Sequence, residues 1–464
     1  MQNGRVKQAE FDLRIAGEAW PQRRLEGKAL RAKVPREAHA KWTAPRNRPS
    51  PLDLIAASNS GRQEKYIPLR MGRMAASPFA FLRGSAVVMA WDLAHGPSTN
   101  VHVVMDGDAH CNNFGLFGTP QRDVIFDLND FDEAVIGPWE WDLKRLVASV
   151  NVAGRENGLN RKERCSAVMR CVSGYRWNAT RLQEMGVLET WYLHAYPGRE
   201  SPLVKIDPKS QAVFRKAVGK AMQQTNAALL TKTAVRGVDG AWRLREEPPL
   251  MTKIDSATRE KVIDGLNQYG ETLSRERRFM LQRYHVVDVA HRIVGVGSVG
   301  TRAYMALLFG NGDDDPLFLQ VKEAIVPAHA PYVSELNMFN HQGERVVIGQ
   351  RALQASSDML LGWTTIDGRP YYVRQMKNMK GSIPIEWLSG ESFNFYAWAC
   401  GALLGRAHAR TGDAACIAGY CGGSSALDEA LATWAEAYSD QNEADHETLV
   451  KAIKAGKVKA ITGV

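Results

Sequence analysis

VHVVMDGDAHCNNFGLFGTPQRDVIFDLNDFDEAVIGPWEWDLKR, residues 101–145, is the stretch whose reading decides the fold. Val101 to Met105 is a short apolar run with β-branched residues, the pattern of a buried strand. It ends in Asp106, Gly107 and Asp108, a turn that exposes a carboxylate at the strand end, and Asn113 follows shortly after. A second strand is expected over Asp123 to Leu128, delivering Asp127, Asp130 and Asp132 into one tight stretch. Carboxylates this close repel one another and lose hydration. A hard cation such as Mg²⁺, which takes one or two carboxylates plus substrate phosphates as ligands, supplies the missing positive charge.

Outward from this stretch, Leu143, Leu146, Val147 and Val150 repeat at helical spacing and predict an amphipathic core helix. Upstream, Arg70, Arg73 and Arg83 sit among Pro, Gly and aromatic residues in RQEKYIPLRMGRMAASPFAFLRG (62–84), before a helix expected over 85–94. Arginines so placed either clamp a phosphate or carboxylate by bidentate hydrogen bonds or pair with the acidic loop, and both readings stay open. Residues 1–50 are basic, with Arg23, Arg24, Lys28, Arg31, Lys33 and Arg36 crowded together. They read as a solvated face or as an arm laid over the body. Downstream, helices are expected over 161–186, 209–231 and 257–284, with EEPPL (246–250) as a linker.

From residue 286 the texture changes to strand, glycine loop, strand, turn and strand, with Gly295, Gly297, Ser298 and Gly300 in the loop and Lys322 in the last strand. A dinucleotide-binding fingerprint needs a helix after its glycines, whereas β-type residues and the hairpin turn GNGDDDP follow here. Glycine permits close backbone approach to phosphates. A helix over 342–355, a hairpin over 359–375, a buried helix over 391–411 and a C-terminal helix from Ala426 complete the chain.

Asp108 with Asn113, then Asp130-Phe131, resembles the catalytic loop and metal-binding aspartate of the protein kinase-like superfamily. Aminoglycoside and choline phosphotransferases are the nearer resemblance. DGDAHCNNFG is similar to their HGDxHxxN segment, with Asp106 in place of the first His, and Asp130, Phe131, Ala134, Gly137 and Asp142 match DFxxAxxG…D. The resemblance implies that Asp108 is the base orienting an acceptor hydroxyl, with His110 beside it as a second candidate catalytic residue. It implies that Asn113 and Asp130 hold Mg²⁺ and that Asp142 anchors the loop; Asp132 and Asp127 are the fallback metal ligands. Gly295, Gly297, Ser298 and Gly300 then resemble the kinase glycine-rich loop, and Lys322 its third-strand lysine. Glu344 is the expected partner of Lys322, Glu335 its rival, and the MKNMKGS segment (376–382) the hinge over a base. His408, in a helix similar to the one preceding the catalytic loop of antibiotic phosphotransferases, is expected to be structural.

Each half is in kinase order, but the halves are exchanged. The fold expected is therefore α+β, a bilobal protein kinase-like fold in circularly permuted order, tolerable where the old termini lie close together. Its parts are an arm over 1–60, a helical catalytic lobe over 61–284, a β-rich nucleotide lobe over 285–385 and completing helices over 386–464. RMGRMAASPFAFLRG, VGVGSVGTRAY, LQVKEA, GQRALQASSD and YYVRQMKNMKG also resemble a bacterial family called domain of unknown function 2252, assigned generally to the kinase-like group.

The function expected is phosphoryl transfer from ATP, with Mg²⁺, to a hydroxyl of a small molecule or protein. The alternatives are AMP transfer, a nucleotide-binding pseudokinase scaffold, and a metal-dependent phosphohydrolase using Asp127, Asp130, Asp132 and His110. The net charge of +9 suits anionic ligands. No zinc-ligand spacing or RNA-binding signature accompanies it, so a nucleic-acid partner is not expected. There is no run of eighteen apolar residues and hence no expected membrane span. Residues 1–14 lack the apolar core of a signal peptide, and the six cysteines are scattered without a CxxC pair. A reduced, cytoplasmic location is expected.

Overall fold

The computed structural model describes residues 17–197, 208–333, 339–376 and 378–463. The fold is α+β: a six-stranded antiparallel sheet leans on a helical body. The sheet runs, edge to edge, Gly362–Ile366, Arg369–Gln375, Pro316–Glu323, Ala303–Phe309, His285–Arg292 and Met251–Lys253. Both central strands are buried along their whole length. Their period-two alternation explains this. Tyr304, Ala306 and Leu308 face Val262, Leu266 and Tyr269 of the helix Ser256–Tyr269, whereas Met305, Leu307 and Phe318 meet Leu229 and Leu230 of the helix Asn226–Thr233.

The helical body is built on Trp139–Glu156, Arg161–Leu182, Gly390–Thr411 and Ala426–Lys454, whose apolar faces form the largest core cluster. Arg161–Leu182 and Gly390–Thr411 approach so closely that glycine is required between them. A Cβ on Gly401 would sit 1.9 Å from the Cys171 carbonyl oxygen, and one on Gly174 would sit 2.2 Å from that of Trp398. Gly401→Ala should therefore cost about 1–3 kcal/mol by overpacking, although alanine gains roughly 1 kcal/mol in helix propensity. Gly219→Ala, in the helix Pro208–Met222 with nothing within 4 Å of the added carbon, should instead stabilise by about 0.4–1 kcal/mol. Urea denaturation midpoints of the two variants, moving in opposite directions, check both.

The N-terminal segment lies along the body. Gly27 of the helix Trp20–Ala29 and Gly419 of the helix Ala414–Cys421 interlock, each against the other helix's backbone. Arg31 donates to the Tyr420 and Gly419 carbonyls and Arg36 to that of Cys421, so these arginines cap a helix C-terminus. The basic run is thus an arm over the body, with Lys28 and Lys33 left exposed.

Two expected helices are interrupted. The span 209–231 breaks at 223–225, where the Gln224 carbonyl accepts from Met379 N–H and Thr225 caps the next helix. The span 257–284 breaks after Tyr269, because the Thr272 hydroxyl bonds both Trp363 backbone groups on the sheet edge. The EEPPL linker leads straight into the edge strand Met251–Lys253, which pairs with His285–Arg292. The hairpin Ala234–Arg236/Trp242–Leu244 is an addition to the sequence reading. Its Asp239-Gly240 turn, with Gly240 at φ +78°, is the signal that marks it. No helix among the described residues is long and apolar enough to cross a membrane. Residues 1–14, on which the leader expectation rests, lie outside the described residues.

Candidate functional site

The strand His102–Met105 pairs with Val135–Pro138, and its Val104 N–H donates to the Thr411 hydroxyl at the end of the helix Gly390–Thr411. The loop that follows is held from behind. Asp142, in the first turn of the helix Trp139–Glu156, accepts from the amides of Asp106 (2.7 Å) and Gly107 (2.9 Å). His408 Nε2 bonds the same carboxylate at 3.1 Å, and Tyr175 hydroxyl reaches His408 Nδ1 at 2.8 Å. Gly107 sits at φ +77°, and a Cβ there would fall 2.0 Å from the Glu133 carbonyl oxygen. Only glycine lets the two acidic loops meet this closely.

These contacts set Asp108 in place. Its Oδ1 accepts from Arg145 Nε (2.8 Å) and Nη2 (2.5 Å), and the Asn113 amide donates to its carbonyl at 2.7 Å. Burial pushes the Asp108 carboxyl up to about 7, against the pull of Arg145. His110 Nε2 stands 3.6 Å from the other oxygen, Oδ2. Burial, with Arg83 and Arg145 nearby, holds that imidazole well below its usual range, so it is neutral. Asp106 is fully buried, with the Asn113 side chain beside its carboxyl group. Burial, then Asp142, raises its proton affinity well above that of an ordinary carboxylate. The loop amides are held by Asp142, so the presence of Asp106 at that position leaves their bonding intact.

The strand Val124–Leu128 brings in the second loop. Asp130 is buried, which alone would raise its pKa, but Lys322, Arg374 and Lys380 hold it down at about 2. Asp132 ion-pairs with Lys322 and accepts from the Ser298 hydroxyl at 3.2 Å. Lys322 is buried, which lowers its proton affinity, yet Asp130 and Asp132 raise it above the ordinary lysine value. One oxygen of Asp130 and one of Asp132 are buried without a partner. Asp127 points elsewhere: its oxygens take Arg406, its own chain at Leu128, and the Ala355 amide. The phosphohydrolase set therefore loses Asp127 to a buried ion pair. No group of three or more His, Cys, Asp or Glu among the described residues is arranged to hold a metal. What the cleft offers a cation is Asp130, Asp132 and Asn113.

The glycine loop closes the cleft from above. Gly295 and Gly300 have positive φ, +66° and +89°. The loop is braced to the N-terminal segment: Arg73 donates to the Gly295 carbonyl, Arg62 to that of Val299, and Gln63 N–H to that of Gly300. Asp108, His110, Asn113, Asp130, Gly297 and Ser298 all line one narrow space of about 80 Å³. Residues from three distant stretches, 106–113, 130–132 and 295–322, thus meet.

Three expectations change. Lys322 is paired with Asp132 and not with Glu344, whose backbone N–H is capped by His341 at the start of the helix Gln342–Leu353. That helix sends Arg345 to the cleft instead, where it binds the carbonyls of Asp132 and Ala134. Glu335 lies outside the described residues. Arg70 is engaged by Ser58, Asn59 and the Gly84 carbonyl, and Arg73 by Gly295, so both support the chain around the cleft. Arg83 alone of the three lines the space beside Asp108. The sequence reading passed over Arg145, although it stands one helical turn after Asp142 and so shares its face.

The family model described as uncharacterized protein conserved in bacteria (DUF2252) matches residues 62–452. No curated protein and no solved structure matches the chain.

Proposed function

The chain belongs to DUF2252, an uncharacterized family conserved in bacteria, and from that premise we propose that it is a Mg²⁺- and ATP-dependent phosphotransferase with a circularly permuted, protein kinase-like arrangement. The observation that carries the reading is the meeting of Asp108, Asn113, Asp130, Lys322 and the glycine loop around one cleft. A cation fits the donor set. The unpartnered buried oxygens of Asp130 and Asp132 are carboxylate ligands without a donor, and phosphate oxygens complete the shell of a Mg²⁺ held by only one or two carboxylates. Asp130 and Asn113 would hold the ion, Asp132 would assist, and Lys322 would reach the phosphates.

The bound Mg²⁺–nucleotide supplies the transferable phosphoryl group and neutralises charge that develops on it. The chain does the rest. Arg145 fixes Asp108 through Oδ1, leaving Oδ2 to accept the proton of an acceptor hydroxyl. The carboxyl's value of about 7 places that base near neutral pH. Asp142 and His408 hold the loop so that the base cannot swing away. The space directly beneath the glycine loop, about 80 Å³, is smaller than a nucleoside triphosphate, so phosphates seated there would displace the Ser298 hydroxyl from Asp132.

Thermal unfolding with ATP, with and without Mg²⁺, tests the reading, because a ligand of the folded state raises Tm according to its affinity. ATP with Mg²⁺ should raise Tm, Lys322→Met should remove most of that rise, and Glu344→Ala should leave it in place. Absence of any nucleotide effect on the wild type overturns the proposal.

A further inference from the structure

The space around Asp108 opens on one side into a groove of about 640 Å³ walled by parts of segments 57–87 and 323–331. Four guanidinium groups border it, and they differ in what they bind: Arg369 pairs with Glu323. Arg62 donates to the Ser58 and Val299 carbonyls, and Arg70 to neutral oxygens of Ser58, Asn59 and Gly84. Arg83 has a buried Nε with no hydrogen-bond partner, and it enters no ion pair with a described residue. The acids of the groove are already committed. Asp108 takes Arg145, Glu323 takes Arg302 and Arg369, and Glu133 takes the Ala328 amide.

Arg83 is half-buried; its guanidinium stays protonated at any ordinary pH, and a buried N–H left without an acceptor is costly. Arg83 thus brings an unsatisfied N–H and a charge that no described carboxylate pairs to the junction between the Asp108 cleft and the groove. Its planar fork suits two oxygens of one anionic group. Arg62 and Arg70, satisfied by neutral acceptors, add positive potential behind it.

We propose that Arg83 is the receptor for an oxyanion group on the acceptor, so that the acceptor is an anionic hydroxy compound whose hydroxyl lies at Asp108 while its anionic group lies on Arg83. That the anion belongs to an acceptor rests on the phosphotransferase reading; the anion site itself does not.

Isothermal titration with inorganic phosphate, and separately with acetate, tests the site on the full chain, with and without Mg²⁺ and a non-hydrolysable ATP analogue. The two anions distinguish a phosphoryl from a carboxylate group. The wild type should bind one of them and should still bind it when the analogue is in place. Arg83→Gln should weaken that anion at least about tenfold, the scale of one charge-assisted bond, while the analogue's affinity moves by less than about twofold. Arg83→Lys, which keeps the charge and loses the fork, should fall between the two. Equal anion binding by the wild type and Arg83→Gln overturns the proposal, as does displacement of the anion by the analogue, which would give Arg83 to the nucleotide's own phosphates. A wild type that binds the analogue but neither anion also overturns it and leaves the phosphotransferase reading standing. Arg83-dependent anion binding without any analogue binding upholds the anion site and removes the phosphotransferase reading.

Discussion

Asp108→Asn should lower phosphoryl transfer by about a hundred- to ten-thousandfold, the usual loss when a general base is removed. The substitution is isosteric, and the side-chain oxygen that accepts from Arg145 at 2.8 Å is retained, so the loop should keep its shape. The group lost is Oδ2, the oxygen not used by Arg145, which is where a hydroxyl proton would go. Label transfer from γ-³²P ATP into a bacterial metabolite extract measures the effect, and the nucleotide-induced Tm shift shows whether binding survives. A variant that transfers label at the wild-type rate removes Asp108 from the mechanism. A variant that loses both transfer and binding points to a damaged loop.

Arg406→Ala should destabilise the chain by about 3–5 kcal/mol, the range for breaking a buried ion pair from one side. Both partners are inaccessible, with side-chain exposures of 0% for Arg406 and 1% for Asp127. The truncation would strand the Asp127 carboxylate with only backbone amides, and it would free the Leu353 and Leu193 carbonyls that Arg406 also serves. The double variant Arg406→Met with Asp127→Leu should recover much of the loss, because a well-packed apolar pair often equals a buried ionic one. Urea denaturation of the single and double variants measures both. Equal stability of Arg406→Ala and the wild type would show that water reaches the carboxylate after truncation.

What is legible in the sequence is what short-range chemistry encodes. Gly107, Asp108 and Asn113 stand in one turn, and Gly295 to Gly300 form one loop, so their local patterns announce them. The strands around Lys322 and the helix Gly390–Thr411 follow from apolar periodicity in the same way. The partners of these residues come from elsewhere in the fold and leave no local trace. Asp132 takes Lys322, a role that sequence order assigned to Glu344. His408 was expected to be structural, but its bond to Asp142 spans 266 residues and only the fold brings the two together. Asp127 looked like a ligand because it stands among acids, yet its partner Arg406 is 279 residues away. The helix breaks at 223–225 and after Tyr269 have the same origin, because tertiary hydrogen bonds outcompete continued helix.

The bond between Asp142 and His408 also bears on how the protein is made. A ribosome extends a chain by about 5–20 residues per second, so the 266 residues between the two take roughly 13–53 s to synthesise. Throughout that interval the nascent Asp106–Asp108 loop lacks its anchor's second ligand, and the helix Arg161–Leu182 lacks the glycine-bearing surface that covers it. The apolar faces of the helices Trp139–Glu156 and Arg161–Leu182 thus emerge before the helices Gly390–Thr411 and Ala426–Lys454 that pack on them. Such a chain gains from a holdase at the tunnel exit, and a transcript truncated before codon 408 yields a product with the acidic loop present but its support missing.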